Sequence, residues 1–359
     1  MEKPYNNLPL LAPNIDHLLV DIDIIKKVLS TNKALAKLNW IESMNDRKIS
    51  SIFLNSLVLT ESIWSNDIEN INTDIDKVSI SNTIDNAIWN EKETILYKDV
   101  LLLWMDLLEK RKGIISINDI VKIQEKLEWN KWGIRKTPGT CLKDSKWNIV
   151  YYPPEPHFLS EKLNNLEQYI NDDTMHNAGD CIKSAIIHHQ FESIHPFLDW
   201  NWRTWRILIL LFLIKQDLIN YPILFLSWYI NENKWDYYRL LDEVRTKDNW
   251  KWYILYMLDA IEQQSVVTSN KIIEINKLYK IKKTAIFEEL KMEKKDILVD
   301  LLFQEIYISF WELLKNLDVS KPTLIKKLAE LEKKWIIQKI KKWKNTLYFF
   351  EDYLKVLKK

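Results

Sequence analysis

Glycine is nearly missing from this sequence. Four occur in 359 residues, where average usage of roughly 7% would place about 25. Only glycine enters φ > 0 cheaply, so a chain with many turns is short of the residue that makes them. Cysteine is scarce as well. Cys141 and Cys181 fit neither a disulfide framework nor a metal-ligand spacing, which points to a cytoplasmic setting. The longest apolar run, Ile207 to Ile214, is far too short for a bilayer and reads as a buried helix, so no membrane partner is expected. The N-terminus has no apolar h-region and is not read as a signal peptide. Net charge is only +1, so whole-chain electrostatics select no partner. The balance is uneven, however. Residues 301–359 hold 13 Lys and 7 Asp+Glu, a net of +6, which leaves −5 for the rest.

Tryptophan stands where the glycine is missing. There are 17, many at positions where turn chemistry expects glycine. Trp147 lies between two strand-like runs, Trp343 likewise, and Trp335 follows a lysine-rich helix end. Some bacteria read the UGA codon as glycine and others read it as tryptophan. Many of these tryptophans therefore read as glycines translated with the wrong table. A truly tryptophan-rich protein is the alternative, but it would leave the missing glycine unexplained.

Apolar periodicity predicts a mainly helical chain. Residues 14–105 read as helices, followed by helices at 117–128, 159–171, 178–194, 203–215 and 234–247. Residues 133–156 break the pattern with Gly133, Pro138, Gly139, Pro153, Pro154 and Pro156. Thr140 to Leu142 and Ile149 to Tyr152 read there as a small hairpin. A weak polar boundary falls at Ser265–Asn270. Beyond it, residues 296–350 read as three helices and two strands, with Ser320 as an N-cap ahead of Pro322.

The chemistry concentrates in His195-Pro-Phe-Leu-Asp-Trp-Asn-Trp-Arg-Thr-Trp-Arg206. This loop leaves one apolar helix and ends at the N-terminus of another, where free N–H groups and the helix dipole favour an anion. Arg203 and Arg206 share one helical face at that end. Asp199 is an oxygen ligand suited to Mg²⁺, and His195 is a base that titrates near neutral pH. Together these groups form a phosphate-transfer constellation.

Read with glycine at Trp200, Trp202 and Trp205, the segment becomes HPFLDGNGRTGR and resembles the Fic family motif in full. The literal sequence departs from the fixed motif at the two tryptophans Trp200 and Trp202, and an indole at either position would crowd the phosphate site. The resemblance implies a Fic-fold helical core with a β-hairpin flap. It also implies a nucleotidyl transferase that moves AMP from ATP, with Mg²⁺, onto a Ser, Thr or Tyr hydroxyl of a target protein. His195 would be the catalytic base and Asp199 the metal ligand. Asn201, with the backbone at Trp200 and Trp202, would cradle the α-phosphate, and Arg203 and Arg206 would clamp the outer phosphates. Residues 133–156 resemble the flap on which the target docks. Tyr237 and Tyr238 resemble the adenine side. Ser65, Glu69 and Asn70 resemble the family's inhibitory motif, in which the Glu69 carboxylate pairs with Arg206 in place of the γ-phosphate.

The implied organisation is an N-terminal helical region with the inhibitory helix (1–105), a catalytic core (106–265) and a module resembling a winged helix-turn-helix (270–359). Lys321, Lys326, Lys327, Lys341, Lys342 and Lys344 of that module could meet DNA phosphates. Such modules also serve as protein-docking or homodimer surfaces. Two alternatives to the AMP transferase stay open: a DNA-binding regulator whose core senses nucleotide, and an enzyme that removes AMP. The gene tests the glycine reading directly. The codons for Trp147, Trp200, Trp202 and Trp343 should be UGA, and UGG at these positions would overturn it.

Overall fold

A computed structural model describes the chain apart from residues 1–3, 45–46, 69–72, 85–88, 129–132, 144–146, 225 and 359, and apart from the side chains of 47–51, 66–68 and 89–90. The chain is mainly helical, as expected. Its first part comprises α1 (Asp16–Leu19), α2 (Ile22–Ser43), α3 (Arg47–Ile68), α4 (Ile75–Thr83), α5 (Trp89–Lys110) and α6 (Ile117–Leu127). Two short strands follow, β1 (Leu142–Lys143) and β2 (Ile149–Tyr151), then α7 (Pro156–Asn171), α8 (Asp180–Ile194), α9 (Asn201–Lys215), α10 (Leu226–Glu232), α11 (Lys234–Lys247) and α12 (Trp250–Glu289). The last part holds α13 (Lys295–Gln304), β3 (Ile308–Ser309), α14 (Phe310–Leu317), α15 (Lys321–Lys333), β4 (Gln338–Lys342), β5 (Asn345–Phe349) and α16 (Glu351–Lys358).

The chain divides into two compact units, 1–36 with 99–265 and 37–98 with 266–359. The segment 1–105, expected as one region, is thus shared between them. The later division falls at 265/266, close to the polar stretch noted in the sequence, but inside the continuous 40-residue helix α12. Ser265, Thr268 and Ser269 are buried there, and Ser265 Oγ donates back to Ile261 O at 2.7 Å. Such back-bonding lets a hydroxyl sit inside a helix without breaking it.

The first unit is built around α8. Every residue from Cys181 to Ile194 is buried, the condition of a helix at the centre of a core. Helix α9 packs along α8 and is buried from Arg203 to Leu213, while α6 and α7 cover the pair. Ser116 and Asp119 form a reciprocal capping box at the start of α6. The hairpin β1–β2 pairs antiparallel, with Leu142 opposite Tyr151 and Lys143 opposite Ile149. β1 begins two residues later and ends one residue later than the strand expected at Thr140 to Leu142, and the turn falls largely outside the described residues.

The second unit gathers α3, α13 and α16 about an aromatic cluster. Phe53 lies 5.7 Å from Phe303 and 5.9 Å from Tyr279, and Phe303 lies 4.8 Å from Tyr353. Beside it, β3, β5 and β4 form an antiparallel sheet in that order. Ser320 caps α15 by accepting from Thr323 N–H, as expected.

Among the described residues tryptophan takes left-handed backbone at four positions: Trp147 (φ 65°), Trp200 (φ 68°), Trp335 (φ 58°) and Trp343 (φ 55°). Trp335 follows the C-cap of α15. Its N–H donates to Glu332 O at 2.9 Å, and Ile336 N–H donates to Leu331 O at 3.0 Å. That is the Schellman pattern, in which glycine is the usual residue at this place. Trp343 opens the two-residue turn between β4 and β5, where φ > 0 is required. Three of these side chains are about three-quarters exposed, at 79% for Trp147, 76% for Trp335 and 74% for Trp343. They gain little burial to offset the strain. Trp335→Gly and Trp343→Gly should each stabilise the protein by about 1 kcal/mol, the order of the left-handed penalty for an L-residue. Trp252, exposed within α12, is the control: Trp252→Gly should destabilise by about 0.5–1 kcal/mol. Urea unfolding midpoints measure all three, and a loss of stability at 335 and 343 would contradict the strain argument.

Candidate functional site

Helix α8 ends in a left-handed residue, His195 (φ 47°, ψ 63°), whose N–H still donates to Phe191 O at 2.9 Å. The chain then turns through Pro196 to Trp200 and re-enters helix at Asn201. Asn201 closes this loop. Its Oδ1 accepts from Phe197 N–H at 3.0 Å, and its Nδ2 donates to Phe197 O at 2.9 Å. Because Oδ1 is committed to an N–H donor, the amide orientation is fixed. Nδ2 also lies 3.0 Å from His195 Nε2. The Asn201 atom there can only donate, so Nε2 accepts and carries a lone pair. The imidazole is thereby held neutral with Nε2 as its basic atom.

Electrostatics agree with a neutral ring. Burial, then the nearby Arg135 and Arg245 cations, push the His195 pKa down to about 3. Burial likewise holds His188 and His189 well below the usual histidine value, helped by Arg206 and Arg245 at His188 and by Arg245 at His189. His188 lies between two phenols, with Nε2 3.0 Å from Tyr237 Oη and Nδ1 2.9 Å from Tyr253 Oη.

The loop brings the expected phosphate-binding residues together at the start of α9. Trp200 is its N-cap. Trp200 N–H donates to Asp199 Oδ1 at 2.8 Å, and the indole N–H donates to Glu128 Oε2 at 2.8 Å. Arg203 and Arg206 are buried one turn apart. The Arg203 guanidinium stacks 3.9 Å from the Trp200 ring. Trp202 does not occupy a turn; it lies in the first turn of α9, with its ring 5.5 Å from Tyr237 and 5.8 Å from Tyr238. Trp205 is fully buried and stacks 3.8 Å from His188. The two tyrosines expected near adenine thus separate: Tyr237 is a core residue bonded to His188, and Tyr238 is 45% exposed. Phe197 is buried and packs in the core.

Asp199 is exposed beside the helix terminus. No group of three or more His, Cys, Asp or Glu suited to a metal occurs among the described residues. One exposed carboxylate still fits Mg²⁺, which keeps waters and takes much of its shell from substrate phosphates. Ser65 is buried in α3, in the second unit. Glu69 and Asn70 lie outside the described residues.

Several contributors escaped the sequence reading. Arg135 is buried, with Nε donating to His195 O at 2.8 Å and its backbone N–H donating to Pro196 O at 2.9 Å. Gln124 on α6 accepts from Gly133 N–H at 2.9 Å through Oε1. Tyr151 Oη donates to Ser193 O at 2.6 Å, and the Arg245 guanidinium lies 3.9 Å from the Tyr151 ring. These side chains mostly hold backbone groups, and such pairings leave no motif. Gly133 beside Arg135 was the one local hint.

Comparison with known proteins agrees with this geometry. Residues 114–213 match the Fic/DOC family, and the span covers the flap, α8, the loop and most of α9. The fold is a Fic fold. A Fic family protein from Desulfovibrio desulfuricans superposes with a TM-score of 0.58 at 16% identity, over 92% of this chain and 96% of that one. Fic-1 of Caenorhabditis elegans superposes with a TM-score of 0.54 at 19% identity, over 74% of this chain and 79% of that one. In sequence, the chain is 28% identical over 171 residues to an Aquifex aeolicus protein named a probable protein adenylyltransferase, covering 47% of this chain and 51% of that protein. It is 25% identical over 128 residues to the protein adenylyltransferase fic-1 of Caenorhabditis elegans, covering 35% of this chain and 25% of that one. The chain thus spans between a quarter and about half of these curated relatives. Among the described residues no helix is long and apolar enough to cross a membrane.

The three buried histidines contribute to the response to acid. Unfolded histidine takes its proton near pH 6.5, whereas folded His195 does so only at about 3. Between these values the unfolded state binds more protons, so stability falls as pH drops below about 6.5. His188 and His189 act in the same direction. The melting temperature should therefore decline steadily from pH 7 to pH 5. A midpoint that is flat or rising over that range would contradict the neutral, buried assignment.

Proposed function

We propose that this protein is an adenylyltransferase that moves AMP from ATP to a protein hydroxyl. The observation that carries this reading is the pairing of His195 Nε2 with Asn201, 3.0 Å apart, at the N-terminus of the helix that bears Arg203 and Arg206. The attacking hydroxyl takes the place of the Asn201 N–H at His195 Nε2 and gives its proton to that atom as the hydroxyl oxygen bonds to the α-phosphorus, and the released Asn201 N–H turns to the α-phosphate. The bond from that phosphorus to the bridging oxygen breaks, and pyrophosphate leaves. Asn201 and the first N–H groups of α9 hold the α-phosphate, while Arg203 and Arg206 hold the outer phosphates. Mg²⁺, held by Asp199, supplies charge neutralisation on the phosphates when bound. Tyr238 is the exposed aromatic on the proposed adenine side, and the β1–β2 hairpin offers strand edges to a target segment.

Trp200 and Trp202 place two indoles where ATP would bind, with Arg203 drawn onto one of them. We therefore read both positions as glycine in the active protein. The positive φ of Trp147, Trp200, Trp335 and Trp343 supports the same reading. Self-inhibition by Glu69 belongs to this proposal: its carboxylate would compete with the γ-phosphate for Arg206. At the C-terminus, the order α13–β3–α14–α15–β4–β5 and the capped, lysine-bearing α15 support a winged helix-turn-helix. Such a module favours a second reading, a DNA-binding regulator whose core only senses nucleotide.

Incubation with labelled ATP separates the two readings, because only the transferase leaves label on protein. The Trp200→Gly/Trp202→Gly protein should label itself, and His195→Ala in that background should abolish labelling while ATP still binds. Glu69→Gly should raise labelling by freeing Arg206. Unchanged labelling in the His195→Ala protein would remove the base from its role. A Glu69→Gly protein no faster than its parent would remove self-inhibition.

A further inference from the structure

Four consecutive carbonyls at the end of α8 and just beyond it are held from the base of the flap. Ser193 O accepts from Tyr151 Oη at 2.6 Å. Ile194 O accepts from Arg135 Nη2 at 3.3 Å, and His195 O accepts from Arg135 Nε at 2.8 Å. Pro196 O accepts from the Arg135 backbone N–H at 2.9 Å. Arg135 Nη2 also donates to Pro154 O. Arg135 and Tyr151 bracket the hairpin in sequence, one ahead of β1 and one at the end of β2. The last carbonyls of a helix have no partner within it and favour a cation. Here that cation comes from the segment that leads into the flap.

We propose that Arg135 is a positioning residue that clamps both ends of the flap to the terminus of α8, so that the flap and the His195 imidazole move as one unit. This rests on the reading of His195 as the base. Arg135 makes its hydrogen bonds to backbone carbonyls and has no role on substrate. Its effect passes through the left-handed conformation of His195, which is strained for a residue with a Cβ. Without the bonds to Ile194 and His195, residue 195 can relax toward ordinary backbone, and the ring swings away from Asn201. A target segment seated on the flap would then no longer be in register with the base. The planar fork matters as much as the charge. Nε and Nη2 address different carbonyls at once, which a lysine ammonium at the end of a flexible stem does not reproduce.

The test uses the full-length Trp200→Gly/Trp202→Gly protein, labelled ATP and ¹⁵N-histidine labelling. Arg135→Ala should lower maximal self-labelling about a hundredfold, the scale of a misplaced catalytic group. The KM for ATP should stay within about twofold, because the phosphate-binding residues are untouched. Arg135→Lys keeps the charge and should still lose at least about tenfold. In both variants the His195 resonances should shift while those of His188 and His189 stay. Undiminished labelling in both variants would overturn the clamp, as would a loss carried wholly by KM. If Arg135→Ala does not fold, Arg135→Lys carries the test. If the parent transfers no AMP, the proposed function fails and the resonances decide alone: an unmoved His195 signal in Arg135→Lys overturns the clamp.

Discussion

Asn201 joins the end of one central helix to the start of the next through a single amide. Its oxygen and nitrogen are both committed to the Phe197 backbone, and the same nitrogen reaches His195 Nε2. Each bond is of ordinary strength, about 1 kcal/mol net. Their joint effect is geometric. They fix the loop and set the imidazole tautomer beside the start of α9. Burial of α8 and α9 then makes the arrangement rigid, since a close-packed core does not deform continuously.

The same burial decides which state of His195 is available. A solvent-exposed histidine would be partly protonated at neutral pH. Here burial and the Arg135 and Arg245 cations remove that state. The cations also perform structural work, Arg135 on the carbonyls of α8 and Arg245 on Ser193 Oγ at 3.0 Å and on the Tyr151 ring. One set of side chains thus keeps the base neutral and holds the backbone that carries it. The same arrangement lowers stability as pH drops through the range where an unfolded histidine protonates, because the unfolded chain takes up the proton first.

Much of this was legible in the sequence, for definite reasons. The spacing from His195 to Arg206 is local, so one loop and one helical turn carry all its members. The hairpin was marked by glycine and proline, and Ser320 by cap chemistry. What escaped depends on distant backbone. Arg135 binds carbonyls 59 and 60 positions away, and a carbonyl has no side-chain signature. The continuity of α12 escaped because its buried Ser265 and Ser269 imitate a linker. The pairing of Tyr237 with the buried His188 escaped because it joins residues 49 positions apart.

The left-handed residues bear on composition as well as on turns. Non-glycine residues with positive φ include Asp217, Asp248 and Asp318. Aspartate tolerates that region because its short carboxylate can bond to nearby backbone. His195 is held there by Arg135 and Asn201. Tryptophan has no such local compensation, and Trp147, Trp335 and Trp343 place large apolar rings in solvent at the positions where a turn needs glycine most. Trp200 repeats the pattern inside the site, where its ring draws the Arg203 guanidinium to 3.9 Å. A guanidinium stacked on an indole must leave it to meet a phosphate. With glycine at 200 the same backbone would be unstrained, and Arg203 would have no ring to hold it. The backbone angles outside the site and the chemistry within it thus support one substitution pattern.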